Sequence, residues 1–257
     1  MIDSWASYKE WVSESVKGGT QYYFRGQRKP DWKLQTTFHR YSEKTGITLP
    51  DYLDRVIPEV SYYVSANQNE AIDISSDIQF GILLARLQHH GFPTPLLDWT
   101  LSPYIAAYFA FKNIDPHNSP DTGVVTIHIF DEKLWSNTFQ QSLNLRENIS
   151  FVSPFRPYAQ GNPRMVRQMA VTTATNVSNL GQYLIGRGAE TGNTFLYSAS
   201  LPVSERKLVM NELNLMGINS MTMFPDFDGI CSSMKEIFFN NLEVKPLVPP
   251  PPPPIVG

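Results

Sequence analysis

The segment QHHGFPTPLLDWTLSPYIAAYFAF, residues 88–111, limits the possible folds more than any other part of the chain. Ser102 and Pro103 predict a helix start, because serine accepts hydrogen bonds from first-turn amides and proline suits the first helical position. The apolar residues that follow predict a helix packed against a sheet. Upstream, the apolar run around Asp98 predicts a half-buried strand. The segment therefore predicts a helix end, a turn, a strand and a capped helix start in close succession.

The rest of the chain combines helical and strand patterns without a regular strand–helix–strand alternation. Helices are predicted near Trp5, over 51–67, from Ser76 to His90, from a Ser204 cap to a stop at Gly217, and over 228–240. Strands are predicted over 20–26, 123–130, 168–175 and 194–201. Because helices come first and strands then mix with helices, the pattern indicates an α+β fold.

Length and composition allow one large domain or two small ones, and a single domain over 1–245 is expected. The 257 residues are 42% hydrophobic, which is enough to bury a full core. The C-terminal residues 246–257, PLVPPPPPPIVG, cannot join a helix or a sheet interior, so an extended polyproline II tail is expected. This tail is either a disordered end or a ligand for a proline-binding partner domain.

Charge and cysteine content predict a cytoplasmic protein without a membrane partner. One cysteine excludes an internal disulfide, the first residues do not resemble a signal peptide, and no apolar run approaches the ~20 residues that span a bilayer. The net charge of -3 gives no overall basic field for nucleic acid. Two local clusters leave a basic groove possible: Arg25, Arg28, Lys29 and Lys33, and Arg156, Arg164 and Arg167.

Arg25 and Asp98 are charged residues in apolar surroundings. Arg25 closes an aromatic strand, and its guanidinium can hold phosphate or carboxylate through two parallel hydrogen bonds. A carboxylate inside an apolar run is costly unless it is paired or hydrogen-bonded. Asp98 therefore either caps a turn or pairs with Arg25, and the free amides that follow Ser102 either hold a phosphate or are simply capped.

The adjacent His89 and His90 do not form a metal-binding pattern. Neighbouring side chains diverge, no HExxH spacing occurs, and no third ligand is evident, so no metal site is expected. His90 is expected at the helix C-terminus, and the other imidazole can face a cleft. A metal-dependent hydrolase that uses both histidines and Asp98 is one alternative function.

Four blocks of the chain, in order, resemble the FRG domain family. They are FRGQ (24–27), the segment 88–111, NPRMVRQMAVTT (162–173) and MFPDFDGI (223–230). In this family a glycine and then an aromatic residue usually follow the Gln of the third block, whereas Met169 and Ala170 follow Gln168 here. A more distant resemblance is to ADP-ribosyltransferases of the arginine-serine-glutamate type. Phe24-Arg25-Gly26 is similar to their first motif, and residues 99–109 to their second.

The second resemblance implies a mixed or antiparallel β core with surrounding helices, and NAD as the substrate. Arg25, with Gly26 and Gln27, would hold the pyrophosphate or ribose, Thr100 and Ser102 would support the ribose, and Tyr104 or Tyr108 would stack on nicotinamide. His90 would also line the site. The residues implied in catalysis are Arg25, Ser102, Gln168 and Asp98.

Gln168 occupies the position of the third motif's glutamate. It can bond the ribose 2′-hydroxyl but lacks the charge that stabilises an oxocarbenium-like ribose. A carboxylate relocated to Asp98, Asp226 or Asp228 would restore this charge, although Asp226 and Asp228 also fit a helix start.

The resemblance leaves the acceptor open between protein, nucleic acid and a small molecule. A toxin-like transferase would place the chain in bacterial or phage defence. The alternative is a non-catalytic module that binds a nucleotide or nucleic acid in the same cleft through Arg25, Arg164 and Arg167.

Overall fold

One antiparallel sheet organises the chain. The structure is a computed structural model that describes residues 2–19, 21–68, 71–115, 123–157 and 163–240. Within these ranges the strands are β1 Tyr22–Gln27, β2 Leu96–Thr100, β3 Val124–Asp131, β4 Val152–Phe155, β5 Ala170–Thr175 and β6 Leu196–Pro202. Their order is β4-β5-β2-β1-β3-β6, and every neighbouring pair is antiparallel. The α+β prediction is confirmed.

Helices cover both faces of this sheet. Those before β3 are α1 Trp5–Lys17, α2 Thr37–Thr45, α3 Leu49–Asp51, α4 Ile57–Gln68, α5 Asp77–His89 and α6 Pro103–Phe111, with a π-helical turn at Tyr52–Val56. Those after β3 are α7 Glu132–Thr138, α8 Pro163–Arg167, α9 Leu180–Thr191, α10 Arg206–Leu215, α11 Ser220–Met223 and α12 Phe227–Phe239. No helix in the described ranges has the length and apolar character needed to cross a membrane.

Side-chain alternation along the strands builds separate cores on the two faces. On one face, Phe24 of β1 and Ile127 of β3 pack with α1, α6 and α10. On the other face, Trp99 of β2 packs with α7 and α9. A third cluster joins Leu96 to α2, α4 and α5. Helices α5 and α6 belong to different clusters, and a gap lies between them above β1, β2 and β5.

Three local features differ from the sequence-based expectations. Ser204 does not cap α10, because it lies in a 3₁₀ turn at Val203–Glu205 and the helix begins after Glu205 without a side-chain cap. Strand β5 begins at Ala170 rather than at Gln168. Strand β4 was not predicted from its sequence. The proline-rich tail over 246–257 lies outside the described residues.

Candidate functional site

A cavity of about 360 Å³ lies over three neighbouring strands, between α5 and α6. Its floor comes from β1, β2 and β5, whose alternate residues point to the same side: Phe24, Gly26, Leu96, Asp98, Thr100, Ala170 and Thr172. The walls are residues of α5 and α6: Ala85, Gln88, His89, Ala106 and Phe109. Arg164 and Met165 of α8, with Phe224, close the remaining side. The cavity thus gathers residues that are far apart in the sequence.

The cavity lies where β1 and β2 separate. These strands share a single paired position, Phe24 with Thr100, whereas β1 and β3 pair along the whole of β1. The Pro95 carbonyl accepts a hydrogen bond from the Thr175 amide, and the Leu101 amide donates to the Met169 carbonyl, both on the β5 side of β2. Because main-chain groups alternate in direction along a strand, the Asp98 carbonyl points toward β1. The Arg25 guanidinium fills this gap and donates from Nη1 to that carbonyl at 2.6 Å.

The Arg25 guanidinium retains bonding capacity at the cavity. Its Nε is buried and has no hydrogen-bond partner among the described residues. No ion pair joins Arg25 to the Asp98 carboxylate in the described part of the chain, so the predicted Arg25–Asp98 contact is made through the main-chain carbonyl instead. Desolvation by burial lowers the pKa of Arg25, and the nearby Asp98 charge opposes this shift.

Asp98 presents a carboxylate to the cavity, and two side chains support it. Gln88 of α5 donates from Nε2 to Asp98 Oδ1, and Thr94 donates from Oγ1 to Gln88 Oε1. Asp98 is accessible from the cavity, yet protein atoms surround it on most sides, and this desolvation raises its pKa. The Arg25 charge and the Gln88 hydrogen bond act in the opposite direction. Asp98 is therefore held in an environment that costs its charged form free energy.

Gln168 reaches the cavity from the turn between α8 and β5. Its Nε2 donates to the Met223 carbonyl at 3.1 Å, and its own main-chain carbonyl accepts from Thr100 Oγ1 at 2.7 Å. The following Met169 has φ 46°, in the left-handed region that favours glycine. The glycine usual at this position of the FRG family would fit that conformation without strain.

Residues 20–119 match the FRG domain family. The chain contains an FRG domain. No curated protein and no solved structure matches the chain. The matched residues hold β1, β2 and helices α2 to α6, and therefore Arg25, Gln88 and Asp98. Gln168, Arg164 and Phe224 complete the cavity from beyond the match.

Of the residues predicted at the site, Arg25, Gly26, Asp98, Thr100 and Gln168 line the cavity. The other five do not. Ser102 caps α6 by accepting from the Ile105 amide at 3.3 Å. The other four positions are Tyr104, packed edge-on against Trp5; Tyr108, buried and bonded to Ser220; Gln27, bonded to His128; and His90, exposed at the C-terminal cap of α5.

His89, rather than His90, lines the cavity. Its ring packs edge-on against the ring of His90 with centroids 5.1 Å apart. Desolvation lowers the pKa of His89, the charges of His90 and Arg164 lower it further, and Asp98 opposes them. Across the described residues, no three His, Cys, Asp or Glu side chains cluster as a metal site would require.

Cations and an aromatic ring form the rim opposite α5. Arg164 pairs with Asp226 and lies 5.4 Å from the centroid of the Phe224 ring, and Lys112 lies 4.1 Å from that centroid. Asp226 caps α12, and Asp228 lies in the first turn of that helix. Neither aspartate lines the cavity. Sequence reasoning missed Gln88 and Phe224, because their places in the cavity depend on contacts between distant segments.

Proposed function

We propose that the cavity binds NAD as a substrate and that the protein transfers its ADP-ribosyl group to an acceptor. One observation carries the proposal. Residues at the positions of the three transferase motifs reach one cavity: Arg25 from β1, Thr100 from the neighbouring strand β2, and Gln168 from the turn before β5. Segments more than 60 residues apart in the chain meet there.

Cavity size and lining agree with this proposal. Small-molecule sites span roughly 300–1,000 Å³ and combine apolar walls with a few polar groups. The cavity of about 360 Å³ can enclose part of a dinucleotide, with apolar contacts from Phe109 and Phe224. Arg25 lines the cavity, and its guanidinium is the group that would donate to a phosphate or ribose oxygen.

The reaction requires one bond to break and one to form. The bond between ribose C1′ and the nicotinamide nitrogen breaks, and its electron pair leaves with neutral nicotinamide. The ribose then carries positive charge, which a nearby carboxylate stabilises more strongly than it stabilises the bound substrate. A lone pair of the acceptor bonds to C1′, and the acceptor's proton passes to a base or to water.

A non-catalytic nucleotide- or nucleic-acid-binding module is the second candidate. Gln168 favours it, because this residue is neutral and its amide nitrogen is already bonded to the Met223 carbonyl. Two of the arginines suggested for such binding differ in position. Arg164 pairs with Asp226 at the rim, whereas Arg167 is exposed and does not line the cavity.

Nicotinamide release and ligand binding separate the two candidates. The purified protein is incubated with NAD labelled in the nicotinamide ring, with and without cell extract, and free nicotinamide is measured. A transferase releases label in the wild type and in Arg167→Ala, and loses most of that release in Arg25→Ala. Thermal stabilisation by ADP-ribose without any release would indicate a binding module. If NAD releases no nicotinamide and ADP-ribose gives no stabilisation, the transferase and the nucleotide-binding module are both contradicted.

A further inference from the structure

We propose that Asp98, held in place by Gln88, supplies the carboxylate that stabilises the positively charged ribose during transfer. This inference rests on the proposed transferase function. It assigns the charge to β2, the central strand of the cavity floor, rather than to the turn before β5. Asp98 is thereby a catalytic residue, and Gln88 is a positioning residue that acts through Asp98.

Asp98 is the only carboxylate among the described residues that line the cavity. Gln168 cannot carry a negative charge, and its amide nitrogen is bonded to the Met223 carbonyl at 3.1 Å. Asp226 and Asp228 belong to the start of α12, and Asp226 is paired with Arg164. The electrostatic requirement of the reaction therefore falls on Asp98.

The Thr94–Gln88–Asp98 chain of hydrogen bonds fixes the carboxylate. Thr94 donates to Gln88 Oε1, so the Gln88 amide must turn its NH₂ group toward Asp98 Oδ1. Thr94 is itself tied to α2, because its main-chain amide donates to Thr37 Oγ1 at 3.1 Å. A carboxylate held by packed neighbours does not need to reorganise when charge develops on the ribose.

Arg25 orients the same strand without neutralising the Asp98 carboxylate by direct pairing. The guanidinium bonds to the Asp98 main-chain carbonyl, and no lysine or arginine in the described ranges forms an ion pair with the Asp98 side chain. The charged or titratable groups that face Asp98 are Arg25 from β1, His89 from α5 and Arg164 from α8. The carboxylate thus has a free side for a substrate cation.

Asp98→Asn tests the charge with almost no change in shape. The rate of nicotinamide release at saturating NAD should fall about 100-fold, as expected when one preorganised electrostatic contact is lost. Stabilisation by ADP-ribose should persist, because this product no longer carries the positive charge. Asp54→Asn, at an exposed carboxylate paired with Arg146 outside the cavity, should keep the wild-type rate. Unchanged release by Asp98→Asn would overturn the inference while leaving the transferase proposal intact.

Gln88→Glu tests the positioning role and does not depend on the folding of the Asp98 variant. In the wild type, release should fall at acidic pH as Asp98 becomes protonated. A second carboxylate next to Asp98 disfavours ionisation of both groups, so this acid limb should move to higher pH in Gln88→Glu. Gln79→Glu makes the same change at an exposed position of α5, and the pH at which release falls should stay at the wild-type value.

The outcomes of the two tests distinguish the transferase function, the role of Asp98 and the role of Gln88. An acid limb at the same pH in Gln88→Glu and wild type would contradict the positioning role of Gln88. A wild type that releases no nicotinamide would overturn both the transferase function and the role of Asp98. Release that depends on Arg25 but not on Asp98 would overturn the role of Asp98 alone.

Discussion

Gly26 of β1 lies directly beneath the main chain of Ala106 in α6. A β-carbon built on Gly26 would overlap the Ala106 carbonyl oxygen and would lie only 2.6 Å from the amide nitrogen of Ala110. Both atoms belong to a helix backbone, which cannot rotate away as a side chain can. The glycine of the FRG sequence is therefore required by helix–strand packing.

Gly26→Ala should destabilise the fold strongly. Overpacking usually costs about 1–3 kcal/mol, and because this overlap is with main chain we expect at least about 3 kcal/mol. Urea unfolding of the purified variant measures the loss. Gly186→Ala is the control, because Gly186 lies within α9 with open space around its β-carbon position. That change should stabilise the protein by up to about 1 kcal/mol. Equal stabilities for the two variants would contradict the packing argument.

Ser102→Ala should lower the free energy of unfolding by about 1 kcal/mol, the usual cost of losing an N-cap side chain. Ser102 Oγ accepts from the Ile105 amide at 3.3 Å, and Pro103 follows at the first helical position. Ser102→Asp should retain most of the stability, because aspartate caps equally well and favours the positive helix end. Urea unfolding of both variants provides the comparison. If the aspartate variant loses as much as the alanine variant, capping is not the role of Ser102.

The buried Arg206–Glu236 pair should be sensitive to removal of one partner. Arg206 Nη2 lies 2.8 and 2.9 Å from the two carboxylate oxygens of Glu236, and Arg206 is almost fully buried. Glu236→Ala should cost about 3–5 kcal/mol, since it leaves a buried charge unpaired. Replacing both residues with leucine should recover part of this loss, as judged by urea unfolding.

An exposed ion pair provides the control for this experiment. Lys17 and Glu14 are 2.7 Å apart, but both side chains are about two-thirds exposed. Glu14→Ala should change stability by less than about 1 kcal/mol, because water and salt screen the interaction. Similar losses in Glu14→Ala and Glu236→Ala would show that burial does not determine the cost.

Acid should destabilise the fold through His39. Burial lowers the pKa of His39 to about 4, whereas the unfolded value is 6.5. The unfolded chain therefore binds a proton at His39 below about pH 6.5 and the folded chain only below about pH 4, so stability falls as pH decreases between these values. The full effect of this difference between the folded and unfolded pKa of His39 on the free energy of unfolding is roughly 3 kcal/mol. Urea unfolding at a series of pH values should show a shallower decline in His39→Gln.

Two comparisons check the assignment to His39. Burial lowers the pKa of His128 to about 4 as well, so His128→Gln should also reduce the acid sensitivity. The variant with both substitutions should show the shallowest decline. A decline of the same steepness in all three variants and the wild type would assign the acid sensitivity to other groups.

Local patterns predicted the elements around the cavity because their causes are local. Ser76 and Ser102 cap α5 and α6 as the sequence indicates, and the apolar run around Asp98 forms β2. Strand β4 escaped prediction because Pro154 lies within it. Proline lacks an N–H group and is tolerated only at edges or bulges, and β4 is the terminal strand of the sheet.

The site residues were predictable where the residue type itself carried the chemistry, as for Arg25 and Asp98. His89 and His90 differ by one position, about 100° around a helix, so a small uncertainty in the helix end exchanges their directions. Gln88 gains its role only through Thr94 and Asp98, which the turn after α5 brings to it. Such a contact depends on the path of the turn, which residue preferences do not specify.

The separation of β1 from β2 gives the cavity two kinds of polar group, those of side chains and those of the main chain. Main-chain groups that would complete a strand ladder face the gap, and their positions follow from the backbone and not from side-chain identity. If the cavity binds a nucleotide as proposed, substitutions on α5, α6 or α8 should change its selectivity while this polar main-chain frame persists.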